Sequence, residues 1–350
     1  MSKRFLNGVY AVEVLNGRLN TSCSDVENNI GGFDNVTFTK KIGNKGYDSA
    51  SSVKSSMKKY LIEQGETISQ YIKDDKKIIV EANPYKNLNE DVFGFMKAET
   101  TKLNKEQYEL LEDNIKKLYE SNKKGTEFVN KATKKRDGKF KLNGLIGLGT
   151  SRVKKEYGIC HTTGDSMPYI LESYSDVMGG LFNFDIESVG KYIISDNEKQ
   201  FRDYNSIEAE LLNITEELPL EERKHRIEVV LRALQHLSIE SNQTNYLVDT
   251  TPKVVILGEY SWGNNVFQGI LNKNGINIEA LAETIEDNEQ FRLSKIWIGV
   301  SSRILSEQFK VTKEEIEKQL EEYGLNEIVE ISTVGQAFNK YIKYMEDTLA

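Results

Sequence analysis

One stretch, residues 15–62, constrains the fold more than any other, because it joins a short apolar strand to a helix through an unusually long polar connection. The strand is predicted over residues 6–15, and both of its faces are apolar, which indicates a central position in a sheet. Polar connections of this length without regular structure are usually either functional or disordered. We therefore expect the connection, and the helix in which it ends, to carry function.

The helix that ends this stretch is predicted to have two chemically different sides. Apolar residues recur at the spacing of a buried stripe, namely Val53, Met57, Tyr60 and Leu61. The other side carries hydroxyl and ammonium groups, from Ser51, Ser52, Lys54, Ser55, Lys58 and Lys59. Asp48 or Ser49 can cap the helix, whose free backbone N–H groups and partial positive charge suit a phosphate. The alternative is an ordinary surface helix with a solvated lysine face, and these residues alone leave both open.

Composition limits the class of protein. The 350 residues are 38% hydrophobic and 9% aromatic, which is enough for one large domain or two smaller ones with a real core. No apolar run approaches membrane-spanning length, and the N-terminus leads straight into a strand instead of a secretory signal. The cysteines are Cys23 and Cys160, too few for a disulfide framework or a four-thiolate zinc site. We therefore expect a cytoplasmic protein.

Charge is unevenly distributed along the chain. The formal net charge of −8, taken globally, argues against nucleic acid. Residues 40–59, however, contain six lysines and one aspartate, and residues 131–155 contain nine basic residues and one aspartate. The remainder is therefore more acidic than the whole. This segregation is typical of a local groove for a polyanion, although ordinary surface patchiness can also produce it.

The order of predicted elements favours an α+β fold. Strand, helix, strand, helix and strand, with insertions, fit a ferredoxin-like sheet better than a doubly wound one. A helical insertion is predicted over residues 76–150, with a stripe of Tyr108, Leu111, Ile115 and Leu118. A projecting hairpin is predicted over residues 151–180. The clearest helix spans residues 220–238, with a buried stripe of Ile227, Val230, Leu231, Leu234 and Leu237.

No residue pattern predicts catalysis, a cofactor or a metal. The glycine-rich run over residues 142–151 has Thr150 where a phosphate-binding loop requires lysine. Cys160 and His161 are adjacent but have no second pair of ligands, so zinc is not expected. Asp25 and Asp34, in the first loop, could act as metal-binding or general-base carboxylates in RNA cleavage, although acidic loop residues are usually just solvated.

Four segments together resemble a known family. They are VYAVEVLNGRLNTSCSDVENN, GYDSASSVKSSMKKYL, SRVKKEYGICHTTGDSMP and LFNFDIESVGKY. They are similar to the DevR-type backbone subunit of CRISPR Cascade, in the type I-B branch of the RAMP superfamily. The similarity covers most of residues 1–260 and consists of diffuse patterns without an invariant catalytic signature.

The resemblance implies an RRM/ferredoxin-like palm, a helical finger insertion and a protruding thumb hairpin. The palm would comprise residues 1–75 and 181–350, the finger residues 76–150 and the thumb residues 151–180. The residues implied to bind RNA are Asn20, Ser22, Lys40, Lys41, Ser51, Ser52, Lys54, Ser55, Lys58, Arg152, Lys154, Lys155, His161 and Met167. Met167 or Met178 would be the wedge that separates stacked bases, since an unbranched apolar side chain can do so.

The implied partners are crRNA, the target DNA strand, further copies of the chain in a helical filament and other Cascade subunits. The implied role is non-catalytic. Two alternatives stay open at this point: a ribonuclease subunit that cuts target RNA with a loop aspartate, as in type III complexes, and a protein-interaction scaffold that binds no nucleic acid.

Overall fold

A computed structural model describes residues 3–22, 36–69, 72–74, 77–79, 81–109, 116, 119–161, 164, 166–195, 203–306, 309 and 312–350. The chain divides into two compact units. The first unit comprises Met1–Glu63, Lys141–Glu187 and Glu228–Ala350, and the second comprises Gln64–Phe140 and Ser188–Ile227. In the described ranges no helix is both long enough and apolar enough to cross a membrane.

The strands of the described chain are numbered in chain order. They are β1 (Phe5–Gly17), β2 (Val36–Thr37), β3 (Lys41–Ile42), β4 (Lys45–Asp48), β5 (Ile72–Asp74), β6 (Lys77–Ile79), β7 (Phe95–Asn104), β8 (Glu120–Ser121), β9 (Glu127–Arg136), β10 (Phe140–Leu142), β11 (Leu145–Gly147), β12 (Arg152–His161), β13 (Ser166–Asp185), β14 (Val254–Tyr260), β15 (Leu271–Asn272), β16 (Gly275–Ile276), β17 (Arg292–Val300) and β18 (Val329–Ser332).

The helices are numbered in the same way. They are α1 (Ala50–Glu63), α2 (Leu88–Phe93), α3 (Lys105–Glu109), α4 (Ser206–Leu211), α5 (Leu220–Gln235), α6 (Gln243–Tyr246), α7 (Ile278–Asp287), α8 (Lys313–Glu322) and α9 (Val334–Thr348). A short 3-10 helix spans Glu289–Phe291. The helices predicted at the end of the 15–62 stretch and over residues 220–238 are both present.

The main sheet of the first unit has the strand order β18-β17-β14-β1-β13-β11-β4-β3. Strand β1 is antiparallel to both β13 and β14, and β11 is antiparallel to β13. In chain order these strands and two helices run β1, α1, β11, β13, α5 and β14, which is the ferredoxin-like βαββαβ arrangement. The predicted α+β class is therefore confirmed.

Strand β1 is central because it is apolar on both faces. Val9, Tyr10, Ala11, Val12 and Val14 are all buried, although consecutive side chains point to opposite sides of the sheet. A side chain of this kind contributes about 1.5–3 kcal/mol to folding when it is fully buried. The sequence pattern of residues 6–15 thus placed this strand correctly.

Helices cover both faces of the sheet. On one face, Ile256 and Ile298 join a hydrophobic cluster that also contains Leu281 of α7 and Ile316 of α8. On the other face, Trp297 contacts Tyr341 of α9 edge to face, with ring centroids 5.7 Å apart. The buried stripe predicted for α5 is also observed, because all five of its predicted residues are at most 1% exposed.

Strands β12 and β13 form the predicted hairpin. Their register runs from Arg152 opposite Ser175 to His161 opposite Ser166. The far half of the hairpin is largely exposed, including Tyr157 and Ile159. The second half of β13 pairs with β1, so the hairpin continues directly from the central sheet.

The second unit corrects the prediction of a helical insertion. Strands β7 and β9 pair from Phe95 opposite Arg136 to Asn104 opposite Glu127, and β8 extends this sheet. Of the stripe predicted over residues 108–118, Leu111, Ile115 and Leu118 lie outside the described residues. The periodicity of the sequence did not predict β7 and β9, because each of these strands pairs with the other across the insertion. The observed boundaries also differ from the predicted ones, because β11 pairs with β4 and β13 of the first unit.

A buried ion cluster lies inside the second unit. The Asp91 carboxylate is fully buried and pairs with two guanidinium groups, those of Arg136 and Arg226. The Arg226 Nη1–Asp91 Oδ2 distance is 2.8 Å, and Arg136 Nη1 lies 2.8 Å from Asp203 Oδ2. The backbone N–H of Gly190 also donates to Asp91, at 3.1 Å. The carboxylate therefore fixes several separate segments of this unit.

We expect Asp91→Ala to destabilise the chain by about 3–5 kcal/mol, because it leaves two buried guanidinium groups without a shared carboxylate. Urea unfolding monitored by circular dichroism measures this change. The control is Glu81→Ala, which removes the exposed Lys86–Glu81 pair and should change stability by less than about 1 kcal/mol. Equal effects of the two substitutions would contradict the role assigned to Asp91.

Candidate nucleic-acid interface

Helix α1 has the two sides that its sequence predicts. Val53, Met57 and Leu61 are buried. Tyr60 is only partly buried, and its ring stacks on His236, with centroids 5.7 Å apart and an interplanar angle of 16°. This packing fixes the rotation of the helix, so the hydroxyl and ammonium groups face away from the core.

The polar side of α1 is accessible to a ligand to different degrees. Ser51, Ser55 and Lys59 are exposed, whereas Lys54 and Lys58 are half-buried. Lys59 forms an ion pair with Glu240. Burial lowers the pKa of Lys54, and the nearby charge of Lys58 lowers it further. These two ammonium groups lie one helical turn apart on the same side of α1, and their charges repel each other.

The start of α1 is capped by Ser49, whose Oγ accepts the backbone N–H of Ser52 at 3.3 Å. The preceding residue, Asp48, is buried instead of capping, and its Oδ1 accepts Asn20 Nδ2 at 3.0 Å. Burial raises the pKa of the Asp48 carboxyl to about 6, while hydrogen bonds from Ser52 and Asn20 and the charge of Lys40 oppose that shift. Asp48 thus holds Asn20 beside the first turn of the helix.

The polar segment after β1 also lies at this end of the helix. The backbone N–H of Ser22 donates to Phe38 at 3.0 Å, and that of Lys40 donates to Asn20 at 3.2 Å. Lys40 Nζ lies 5.3 Å from the centroid of the Tyr47 ring. The structure therefore brings Asn20, Ser22 and Lys40 together near the start of α1.

Lys41 differs from its neighbour Lys40. Its Nζ lies 3.0 Å from Glu172 Oε2, and Glu172 is buried. The same carboxylate oxygen accepts the backbone N–H of Thr39 at 3.3 Å. Because a fixed carboxylate already compensates the charge of Lys41, this residue is better suited to holding the loop than to binding phosphate.

The hairpin carries the other predicted residues. Arg152, Lys154 and Lys155 are exposed on β12, and His161 Nδ1 lies 3.0 Å from Ser166 Oγ near the tip. Met167 is 57% exposed on the facing strand. Met178 is fully buried, and its sulfur accepts a hydrogen bond from the Tyr174 hydroxyl at 3.4 Å. Met178 as a candidate wedge was therefore wrong, because strand alternation turns it into the core.

A hollow that the sequence did not predict lies between α1 and residues 239–241. It has a volume of about 230 Å³ and is lined by Ser52, Ser55, Ser56, Lys59, Ile239, Glu240 and Ser241. Several of these hydroxyl groups can donate to phosphate oxygens. Ser241 gave no signal in the sequence because it lies far along the chain from the helix that it faces.

The second basic window does not form a single cationic surface. Arg136 is buried in the second unit, and Lys134 Nζ lies 2.6 Å from Glu208. Lys135 pairs with Asp137 at 3.2 Å. Part of the charge of residues 131–155 is therefore compensated by carboxylates, both near in sequence, as in Asp137, and distant, as in Glu208.

Cys160, which is adjacent to His161, is exposed on the hairpin. Asp25, Asp34 and Cys23 lie outside the described residues.

Comparison with known proteins gives a likeness of fold. No family model matches the chain, and no curated protein matches it. One solved structure, described as "CRISPR RNA-guided surveillance complex", contains a chain with a TM-score of 0.49 and 10% identity over 97% of this chain and 99% of that chain. Another, described as "CRISPR RNA-guided surveillance complex, pre-nicking", gives a TM-score of 0.50 and 8% identity over the same shares.

Asp48 predicts a measurable pH dependence of stability. Its pKa rises from 3.8 to about 6 on folding, so the folded state binds the proton more tightly. The free energy of unfolding should therefore fall as the pH rises from about 4 through about 6, by about 2–3 kcal/mol. We expect Asp48→Asn to lack this loss, so that its stability relative to the wild type increases across that range. Urea unfolding at a series of pH values measures the difference.

The matched control is Asp249→Asn. Hydrogen bonds from Lys253 and Thr251 outweigh burial and lower the pKa of Asp249 to about 2. The contribution of Asp249 to stability is lost only as the pH falls from about 4 towards 2. Above pH 4, the free energy of unfolding of the control should therefore change with pH in the same way as that of the wild type. A difference between wild type and Asp48→Asn that stays constant with pH would contradict the assignment.

Proposed function

We propose that this protein is a non-catalytic backbone subunit of a CRISPR RNA-guided surveillance complex, of the type I-B Cascade kind, and that it binds crRNA through its phosphate backbone. The observation that carries the proposal is the grouping of Asn20, Ser22, Lys40 and the polar side of α1 at one end of the central sheet. The likeness of fold to a chain of a surveillance complex supports it.

The chemistry of this surface suits a strand of any sequence. Serine hydroxyls, lysine ammonium groups and backbone N–H groups bind phosphate and ribose oxygens, which are the same at every nucleotide. A guide held in this way keeps its Watson–Crick edges free for a target DNA strand.

The hairpin supplies the second part of the proposal. Lys154 and Lys155 place charge along its exposed strand, and Met167 places an unbranched apolar side chain near its tip. In a line of identical subunits, the hairpin of one would cross the guide held by the next, and Met167 would separate two bases. Repeated head-to-tail contacts produce an open helical filament, whose length the guide and the other subunits would limit.

We expect the double substitution Lys54→Ala with Lys58→Ala to weaken guide retention, because it takes two ammonium groups away from the phosphate backbone. For each phosphate that is no longer neutralised, the slope of log K against log salt should become less negative by about 0.7, the value for a single strand. Filter binding or fluorescence anisotropy of a single-stranded RNA at several salt concentrations measures both the affinity and the slope.

The control for this pair is Lys313→Ala with Lys318→Ala, which removes two lysines from the acidic helix α8. This control lowers the net charge by the same amount as the α1 variant, so a difference between the two variants reports the position of the lysines and not their number. Equal slopes for wild type and the α1 variant would rule out α1 as a phosphate-binding face.

The non-catalytic role also gives a test. We expect the assembled complex to leave complementary RNA intact in the presence of a divalent metal ion, as gel electrophoresis would show. Cleavage at regular spacing that disappears in Asp25→Ala or Asp34→Ala would replace the scaffold proposal with a ribonuclease. The absorbance of the purified chain at 260 and 280 nm shows whether RNA is bound to it. If the chain carries no RNA and binds none when RNA is added, the remaining alternative is a protein-interaction scaffold.

A further inference from the structure

Arg18, immediately after β1, is a buried cation that no carboxylate of the described residues compensates. The residue is 4% exposed, and only Nη2 has a hydrogen-bond partner, Asn242 Oδ1 at 2.9 Å. Nε and Nη1 are buried without any hydrogen-bond partner. Among the described residues no carboxylate forms an ion pair with Arg18, in contrast to Arg136 and Arg226. A buried guanidinium in this state strongly destabilises a fold unless an anion joins it.

The segment over Arg18, residues 241–249, is held in an unfavourable conformation. The Tyr246 ring covers the guanidinium, with Arg18 Cζ 5.6 Å from the ring centroid, and its hydroxyl is buried without a partner. Asn242 and Leu247 have φ values of 61° and 46°, in the left-handed region. Leu247 is also 88% exposed. Left-handed backbone is unfavourable for a residue with a bulky side chain, and the exposed leucine gains nothing from burial.

The position of this cluster connects the two parts of the interface. Arg18 is two residues before Asn20, and Ser241, next to Asn242, lines the hollow beside α1. On the other side, burial raises the pKa of Tyr246, the charge of Arg18 lowers it, and the hairpin residues Glu156 and Tyr169 are close enough to raise it. A strand that follows the polar side of α1 towards the hairpin would therefore pass over residues 241–249.

We propose that Arg18 binds a phosphodiester group of the RNA strand and that residues 241–249 form a cover that opens when the strand arrives. The inference rests on the proposed function and adds a subsite and a conformational step to it. Opening relieves the left-handed Leu247 and gives the buried Tyr246 hydroxyl access to water, and the phosphate supplies acceptors for Nε and Nη1 of Arg18. The planar guanidinium can bind two phosphate oxygens at once.

Binding to single-stranded RNA by the full chain tests the subsite. We expect Arg18→Met to raise Kd about tenfold to a hundredfold, since the variant cannot form hydrogen bonds from a charged group to the phosphate. The slope of log K against log salt should become less negative by about 0.7, which corresponds to one lost phosphate contact. Arg18→Lys should recover part of the affinity, because it restores the charge without the paired geometry.

A stability measurement separates this role from a structural one. Arg18→Met removes a buried charge that no carboxylate of the described residues compensates, so its melting temperature should equal or exceed that of the wild type. The matched control is Arg4→Met, which leaves the fully buried carboxylate of Glu259 without its arginine. This control should melt at a lower temperature. A similar drop for Arg18→Met would assign Arg18 to the core and overturn the subsite.

Hydrogen–deuterium exchange tests the cover. At saturating RNA, the amides of residues 241–249 should exchange faster in the wild type and remain unchanged in Arg18→Met. Slower or unchanged exchange in the wild type would overturn the opening. Faster exchange with inorganic phosphate but not with RNA would identify a site for free phosphate and overturn the RNA assignment.

The two proposals fail in different ways. If the wild type binds no RNA, the proposed function falls and the subsite falls with it. If the wild type binds RNA and Arg18→Met binds it as tightly, the function stands and the subsite alone is overturned.

Discussion

The rest of the first unit depends on the pairing of β13 with two different strands. Its C-terminal part pairs with β1 from Tyr174 to Asp185, and its N-terminal part pairs with β12 from Ser166 to Ser175. One continuous strand therefore belongs both to the core and to the exposed hairpin. Because the core end is packed between helices, the direction of the hairpin is fixed where it leaves the sheet.

Some cations of the described chain are paired with buried carboxylates, and others remain at the surface. In the second unit, cations that a sequence count would assign to the surface are paired with buried carboxylates, as Arg136 is with Asp91 and Asp203. In the first unit, several cations remain at the surface, including Arg152 and Lys155. A count of basic residues therefore overstates the charge available to a polyanion, since buried pairs contribute to packing and hardly at all to the field outside.

The candidate interface is assembled from segments that are distant in sequence. Asp48 joins Asn20 to the first turn of α1, and Ser241 faces the same helix from beyond α5. Each of these interactions is local and modest, but together they place hydroxyl and ammonium groups along one side of the unit. Binding that depends on many weak phosphate interactions is suited to a ligand whose backbone repeats and whose bases vary.

The sequence by itself determined the elements that depend on local periodicity. The apolar run of β1, the stripe of α5 and the two sides of α1 were all predicted, because a buried face leaves a regular spacing of apolar residues. The α+β class followed from the order of these elements. The hairpin was predicted because its strands are adjacent in the chain and form one continuous polar excursion.

Only the tertiary structure decided which polar groups have partners. It turned Met178 into the core, gave Lys41 a buried carboxylate and left two guanidinium nitrogens of Arg18 buried without a hydrogen-bond partner. The physical reason is the same in each case: burial and pairing depend on residues far away in the chain, and local sequence patterns carry no information about them.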